Sequence, residues 1–185
     1  MTAKETFLAL CSKIDRAGMA DLLAWLEESD FFTAPASSKY HGSYSGGLVD
    51  HSLNVYNEMC RLRSAYPELA ISEESILITS LFHDLCKVNT YTVETRYRKD
   101  AAGKWEPYEA FVHNEKLNYG GHGSKSVFIL QNFIRLTAEE AIAINCHMGS
   151  WEDNPSVGAA FEHCPLAWLV HVADEAATFI IESNK

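Results

Sequence analysis

The sequence predicts an all-α bundle with one small β-hairpin, at about residues 90–112, inserted into it. Three observations carry that expectation. Apolar residues recur at helical spacing along most of the chain. The spacing drops to a period of two between Thr90 and Val112. A composition of 47% apolar and 22% charged residues over 185 positions is enough to build a real core, which excludes a disordered chain.

A first helix spans roughly Ala3 to Ile14, with Phe7, Leu10, Cys11 and Ile14 at helical spacing. A second, about Met19 to Glu28, carries Leu22, Leu23, Trp25 and Leu26. The run TAPASSKYHGSYSGG is rich in Ser, Gly and Pro and reads as a loop. From about Leu48 to Ala65, Leu48, His51, Val55, Met59 and Leu62 share one helical face, so a histidine sits within an apolar stripe. Pro67 ends that segment. Ser72 caps the next helix, with Glu73 and Glu74 in its first turn. That helix is expected to run on through SILITSLFHDLCKV and to carry His83, Asp84 and Lys87.

YTVETRYR then alternates, KDAAGK turns, and WEPYEAFV returns, with Pro107 marking an edge strand. Helical signal resumes after Gly120-Gly121-His122-Gly123, with Ser124 as its cap and Val127, Leu130 and Ile134 on its face. Thr137 and Glu140 make a capping box for a helix that reaches His147 and stops at Gly149. SWEDNPSVGAAFEH is expected to be a loop. Pro165 opens the closing helix, on which Leu166, Val170, Ala177 and Ile181 share a face with an anomalous Asp174.

The chain is expected to be one domain, with N-terminal helices over 1–34 and the functional core over 35–182. Lys and Arg total 15 against 25 Asp and Glu, a net charge of −10. Such a surface repels polyanions at long range, which counts against sequence-independent nucleic-acid binding. No apolar run approaches the roughly 20 residues that span a bilayer, and the N-terminus lacks a signal-peptide pattern. The five cysteines are odd in number and form no CxxC pair, as suits idle reduced thiols. The expected compartment is the cytoplasm.

Four polar anomalies point to a site: His51 on an apolar stripe, adjacent His83 and Asp84 on an otherwise apolar helix, His147 in a last helical turn, and Asp174 on an apolar face. Each alone reads as a hydrogen-bonded core residue or a capping group. Together they need compensation, because burying several ionisable groups is costly. A metal supplies it, and helical bundles build metal sites from facing helices. Imidazole and carboxylate suit Mn, Fe, Co, Ni or Zn, and Mg remains open. Adjacent residues on a helix point about 100° apart, so His83 and Asp84 would reach two sides of a metal pair, with the aspartate as bridge.

The ordered set His51, His83-Asp84 and Asp174 resembles the metal-binding signature of the HD superfamily, helical domains that are mostly metal-dependent phosphohydrolases. PASSKYHGSYSGGLVDHSLNVYN is similar to the segment leading into the first ligand in the HD domains of bacterial exoribonucleases. LFHDLCK resembles the HDxxK segment, HGSKS and NCHMG the places where binuclear members supply two more histidines, and LVHVADEAA the final aspartate segment. The resemblance covers about residues 35 to 182. It implies that His51, His83, Asp84 and Asp174 hold a first metal, and that Asp84, His122 and His147 hold a second. It implies that a metal-activated water attacks a phosphoester, with Asp84 and Lys87 as catalytic residues. Lys87 would bind a phosphate oxygen or steady the leaving group, against the alternative of a solvated helix-end lysine.

His41 and Tyr44 lie just before the first ligand and are candidates to line the pocket. Arg96, with Arg98, Lys99 and Lys104, is a candidate cation on a hairpin flap, against a plain solvated edge. The expected substrate is a small phosphomonoester or phosphodiester, nucleotide-like. The resemblance leaves two other readings: a di-iron oxygenase of the same superfamily, and a non-catalytic nucleotide-binding module. This chain departs from the exoribonucleases in having helix and loop, not an oligonucleotide-binding barrel, ahead of the resembling region.

Overall fold

The computed structural model describes residues 1–114 and 120–183. It is mostly helical, with one two-stranded antiparallel sheet. Helices α1 (Ala3–Cys11), α2 (Met19–Glu28), α3 (Gly47–Ala65) and α4 (Glu73–Phe82) precede strands β1 (Tyr91–Lys99) and β2 (Trp105–His113). Helices α5 (His122–Leu130), α6 (Ala138–Cys146), α7 (Val157–His163) and α8 (Pro165–Ala176) follow. A π-helical turn, Ala177–Ile181, extends α8.

Local chemistry sets most of these boundaries. Thr2 and Glu5 close a capping box on α1, and Thr137 and Glu140 close another on α6. Ser72 caps α4 by accepting from the Ser75 amide, and Pro165 starts α8.

Two apolar clusters hold the bundle. One gathers Phe7, Leu22, Leu26, Phe31, Leu48 and Phe82, with Phe7 and Phe82 ring centroids 5.9 Å apart. The other gathers Val55, Met59, Ile76, Ala143, Leu169 and Val170. Helices α3 and α4 contribute to both, so the ends of α4 and α6 and the first turns of α3 are held in rigid relation. No single helix among the described residues is long and apolar enough to cross a membrane.

Three expectations are corrected. Helix α4 stops at Phe82, and Asp84 leaves helical geometry at φ −106°, ψ 23°, before a short 3₁₀ turn over Leu85–Lys87. Ser124 does not cap α5. The cap is Gly121, and Ser124 lies inside the first turn with its hydroxyl on the Gly121 carbonyl. The stretch after His147 is not all loop, because it folds into a 3₁₀ turn at Gly149–Trp151 and then α7.

The hairpin pairs Tyr91 with His113 through to Lys99 with Trp105, which leaves both strands as edges. Pro107, opposite Tyr97, is compatible with that. Most of β1 is exposed and no residue of β2 is buried, so the hairpin projects from the body.

Candidate metal centre

Five elements deliver polar side chains to one point. His51 comes from the second turn of α3, and His83 and His147 from the residues just past α4 and α6. Asp84 comes from the turn after α4, and Asp174 from α8. The three histidines are fully buried, Asp84 is 3% exposed and the Asp174 side chain is 14% exposed. Because α4 has ended, His83 and Asp84 do not diverge as helical neighbours would. His83 Nε2 lies 3.4 Å from Asp84 Oδ2. His51 Nε2 lies 3.1 Å from Asp174 Oδ1 and 3.3 Å from His83 Nε2. His147 Nε2 lies 3.6 Å from Asp84 Oδ1, too long for a hydrogen bond.

The outer nitrogens fix the tautomers. His83 Nδ1 donates to the Ser80 carbonyl at 2.9 Å, and His147 Nδ1 to the Ile144 carbonyl at 2.7 Å. A carbonyl only accepts, so each Nδ1 carries the proton. His51 Nδ1 likewise faces the Glu182 carboxylate at 3.0 Å. In the neutral rings every Nε2 then turns a lone pair toward the two aspartates. Three lone pairs and two carboxylates facing one another call for a cation. His147 Nε2 and His122 Nδ1 are buried without a hydrogen-bond partner among the described residues, which marks the same need.

Electrostatics agree. Burial alone would raise Asp84, but the Lys87 ammonium, with Nζ 2.6 Å from Oδ2, and His83 hold it well below the usual carboxylate range. Burial would lower Lys87, yet Asp84 keeps it charged. Burial would lower His51, but hydrogen bonds to Asp174 and Glu182 draw it up to about 10. A proton and a metal ion compete for that nitrogen.

The donor atoms fall into overlapping groups, each within 4.8 Å: His51–His83–Asp174, His83–Asp84–His147, and Asp84–Cys86–His122. Asp84 belongs to two of them. The structure therefore brings together all six residues singled out as ligands, in groups that could hold a metal ion. The nitrogen and carboxylate donors fit a divalent transition metal. Cys86 is the poorest donor, since burial pushes its thiol up to about 12 and keeps it protonated.

The centre forms the floor of a cleft of about 530 Å³. Lys87 lines it, but is not a solvated helix-end lysine. Only 8% of the residue is exposed, and it is paired with Asp84. His41 also lines the cleft, its ring centroid 4.8 Å from that of His51 and both nitrogens buried without a hydrogen-bond partner among the described residues. Burial and the neighbouring His51 and Lys87 charges push it down to about 4, so it is neutral. Tyr44 is not a cleft residue, because its hydroxyl donates to Asp50 Oδ2 at 2.7 Å. Arg96 is not one either. It sits on the exposed hairpin, 3.6 Å from Glu94.

No family model, curated protein or solved structure matches this chain.

Several further residues hold the ligand set in place. Glu182, 131 positions from His51, orients it, and Asn54 donates to the same carboxylate oxygen at 2.9 Å. Glu152 accepts from the His122 amide at 2.8 Å and so anchors the start of α5. His171 Nδ1 donates to the His147 carbonyl at 2.8 Å. Glu175 and His113 also line the cleft. No sequence signal marks Glu182. For His171 the signal is its place one helical turn before Asp174.

Proposed function

We propose that this chain is a metal-dependent phosphohydrolase of the HD superfamily, acting in the cytoplasm on a small, nucleotide-like phosphomonoester or phosphodiester. The observation that carries the reading is the convergence of the His51, His83 and His147 Nε2 lone pairs with the Asp84 and Asp174 carboxylates beneath an open cleft. The resemblance of the motifs around these residues to HD domains supports it. The five unpaired cysteines suit a reducing compartment.

His51, His83, Asp84 and Asp174 would hold one divalent metal, and Asp84, His122 and His147 a second. Bound there, such metals supply an acidified water as nucleophile and polarise a phosphoryl oxygen. Lys87 neutralises Asp84 with one N–H and has its other hydrogens for a phosphoryl oxygen entering from the cleft. Neutral His41 carries one ring N–H, which can donate to the leaving-group oxygen at the cleft edge. The cluster lies at the bottom of the cleft, so the reacting phosphoryl group is the part of the substrate that enters deepest.

The test is metal analysis of untreated protein beside hydrolysis of p-nitrophenyl phosphate and bis-p-nitrophenyl phosphate. We expect about two metals per chain, p-nitrophenol release from at least one of the two esters, and loss of both metal and activity in Asp84→Asn. Full activity in that variant, or no metal uptake on reconstitution with Mn, Fe, Ni or Zn, overturns the reading. Retained iron with oxygen uptake and no p-nitrophenol release from either ester assigns the site to oxygen chemistry instead.

A further inference from the structure

Above the histidines the cleft is walled by carbon. Tyr40, Tyr91, Met148, Trp151 and Phe179 all line it. Three of these rings are strongly exposed: Tyr40 at 84%, Trp151 at 66% and Phe179 at 56%. Scattered singly, exposed aromatics are ordinary. Here they converge on one opening.

Trp151 is also not free to turn. Its indole N–H donates to Glu175 Oε1 at 2.9 Å, and its ring stacks on Phe179 with centroids 6.1 Å apart and planes at 30°. A ring held by its edge and packed on a neighbour, yet two-thirds exposed, is a preformed stacking platform. The base of the hairpin adds a second aromatic pair, Tyr91 and His113, with centroids 4.7 Å apart.

The charges are sparse by comparison. Lys87 is the only lysine or arginine lining the cleft among the described residues, and it is already paired with Asp84. Glu175 adds a negative charge beside the platform. This lining gives a chain of phosphates no cationic track beyond the floor.

We propose that the cleft is a two-part site in which the His/Asp floor takes one phosphate and the Trp151–Phe179 wall stacks a flat, uncharged ring joined to it. The ligand class is an aromatic-ring monophosphate, such as a nucleoside monophosphate, in preference to a sugar phosphate or a nucleoside triphosphate. The phosphate half rests on the metal-centre reading, whereas the ring half stands on the wall residues alone.

The experiment titrates metal-reconstituted full chain with AMP, ribose 5-phosphate, adenosine and ATP, by calorimetry and by indole fluorescence. AMP should bind roughly 10-fold or more tightly than ribose 5-phosphate, no more weakly than ATP, and should quench indole emission. Trp151→Leu should lose that margin with its metal content intact, and Trp151→Phe should keep most of it. Phe179→Leu is the second variant should Trp151→Leu not fold, and it should weaken AMP in the same direction. Equal affinity for AMP and ribose 5-phosphate, tighter binding of ATP, or undiminished AMP binding in both leucine variants overturns the proposal. If AMP binds through Trp151 but no phosphoester is hydrolysed with any metal, the hydrolase reading falls and the stacking site stands. If phosphoesters are hydrolysed regardless of their ring, the reverse holds.

Discussion

Replacing Arg16 with Met should destabilise the protein by about 3 kcal/mol, far more than a surface salt bridge is worth. Arg16 lies between α1 and α2, and its guanidinium ties three distant pieces together. It donates to both oxygens of Glu140, at 3.1 and 2.9 Å, to Glu74 at 3.0 Å and to the Arg135 carbonyl at 2.8 Å. Glu140 is fully buried. Stripping a buried carboxylate of its cation costs about 3–5 kcal/mol, because the charge is left uncompensated. Two facts set the value at the lower end. Glu140 keeps hydrogen bonds from the Ser75 hydroxyl at 2.9 Å and the Thr137 amide at 2.8 Å. The Arg16 and Glu74 side chains are 20% and 31% exposed, so the Glu74 arm adds no more than about 1 kcal/mol. For a chain of this length the loss corresponds to roughly 6–12 °C in Tm.

The assay is thermal and urea unfolding of wild type, Arg16→Met, Glu140→Gln and the double variant, with metal in excess throughout. In the Arg16→Met background, Glu140→Gln should recover about 1–2 kcal/mol, since an amide in the same volume carries no unpaired charge. The pH dependence has a definite sign. Burial would raise Glu140, but the hydrogen bonds from Arg16, Thr137 and Ser75 lower it below its ordinary 4.5. Its contribution is therefore complete above about pH 4.5 and is lost as pH falls through the depressed folded value. The gap between wild type and Arg16→Met should narrow in acid. A Tm loss below about 3 °C, a gap that widens in acid, or a double variant worse than either single one would refute the reasoning.

Three further outcomes are expected. Glu182→Gln should weaken metal binding roughly 10- to 100-fold by calorimetric titration, because His51 loses the carboxylate that orients it. Divalent metal at about 100 times its Kd should stabilise the wild type by about 2.7 kcal/mol. That is roughly 5–11 °C in a thermal-shift assay, with no shift in Asp84→Ala. Gly149→Ala should cost about 1–3 kcal/mol in urea unfolding. Gly149 has φ +56°, and a Cβ there would run into the imidazole of His171, which holds the His147 carbonyl, so metal affinity should fall as well.

Elements whose cause is local were legible. Helix α2 begins and ends where the Leu22, Leu23 and Leu26 spacing places it, and the Thr137–Glu140 capping box lies within four residues. The hairpin announces itself because a period of two cannot be mistaken for 3.6. The polar anomalies at His51 and Asp174 were visible for the same reason. A charge or imidazole on an apolar stripe breaks a pattern that the neighbouring residues define.

What escaped is what distance in sequence hides. The apolar run through LFHDLCK reads as unbroken helix. The chain nevertheless turns at Asp84, where Lys87 pairs with its carboxylate and the Cys86 amide donates to the Ser126 hydroxyl on α5. That turn aims His83 and Asp84 at one point. Helix α7 is seven residues long, too short for propensity to declare it without neighbours. Arg16–Glu140 and His51–Glu182 span 124 and 131 positions. Sequence by itself determined most of the helices, the hairpin and which ionisable residues lie on apolar faces, because periodicity and capping act within a few residues. Only the tertiary structure decided which of those residues meet, which nitrogen each histidine turns inward and which rings wall the cleft. Those are relations between elements, and burial and long-range hydrogen bonds set them.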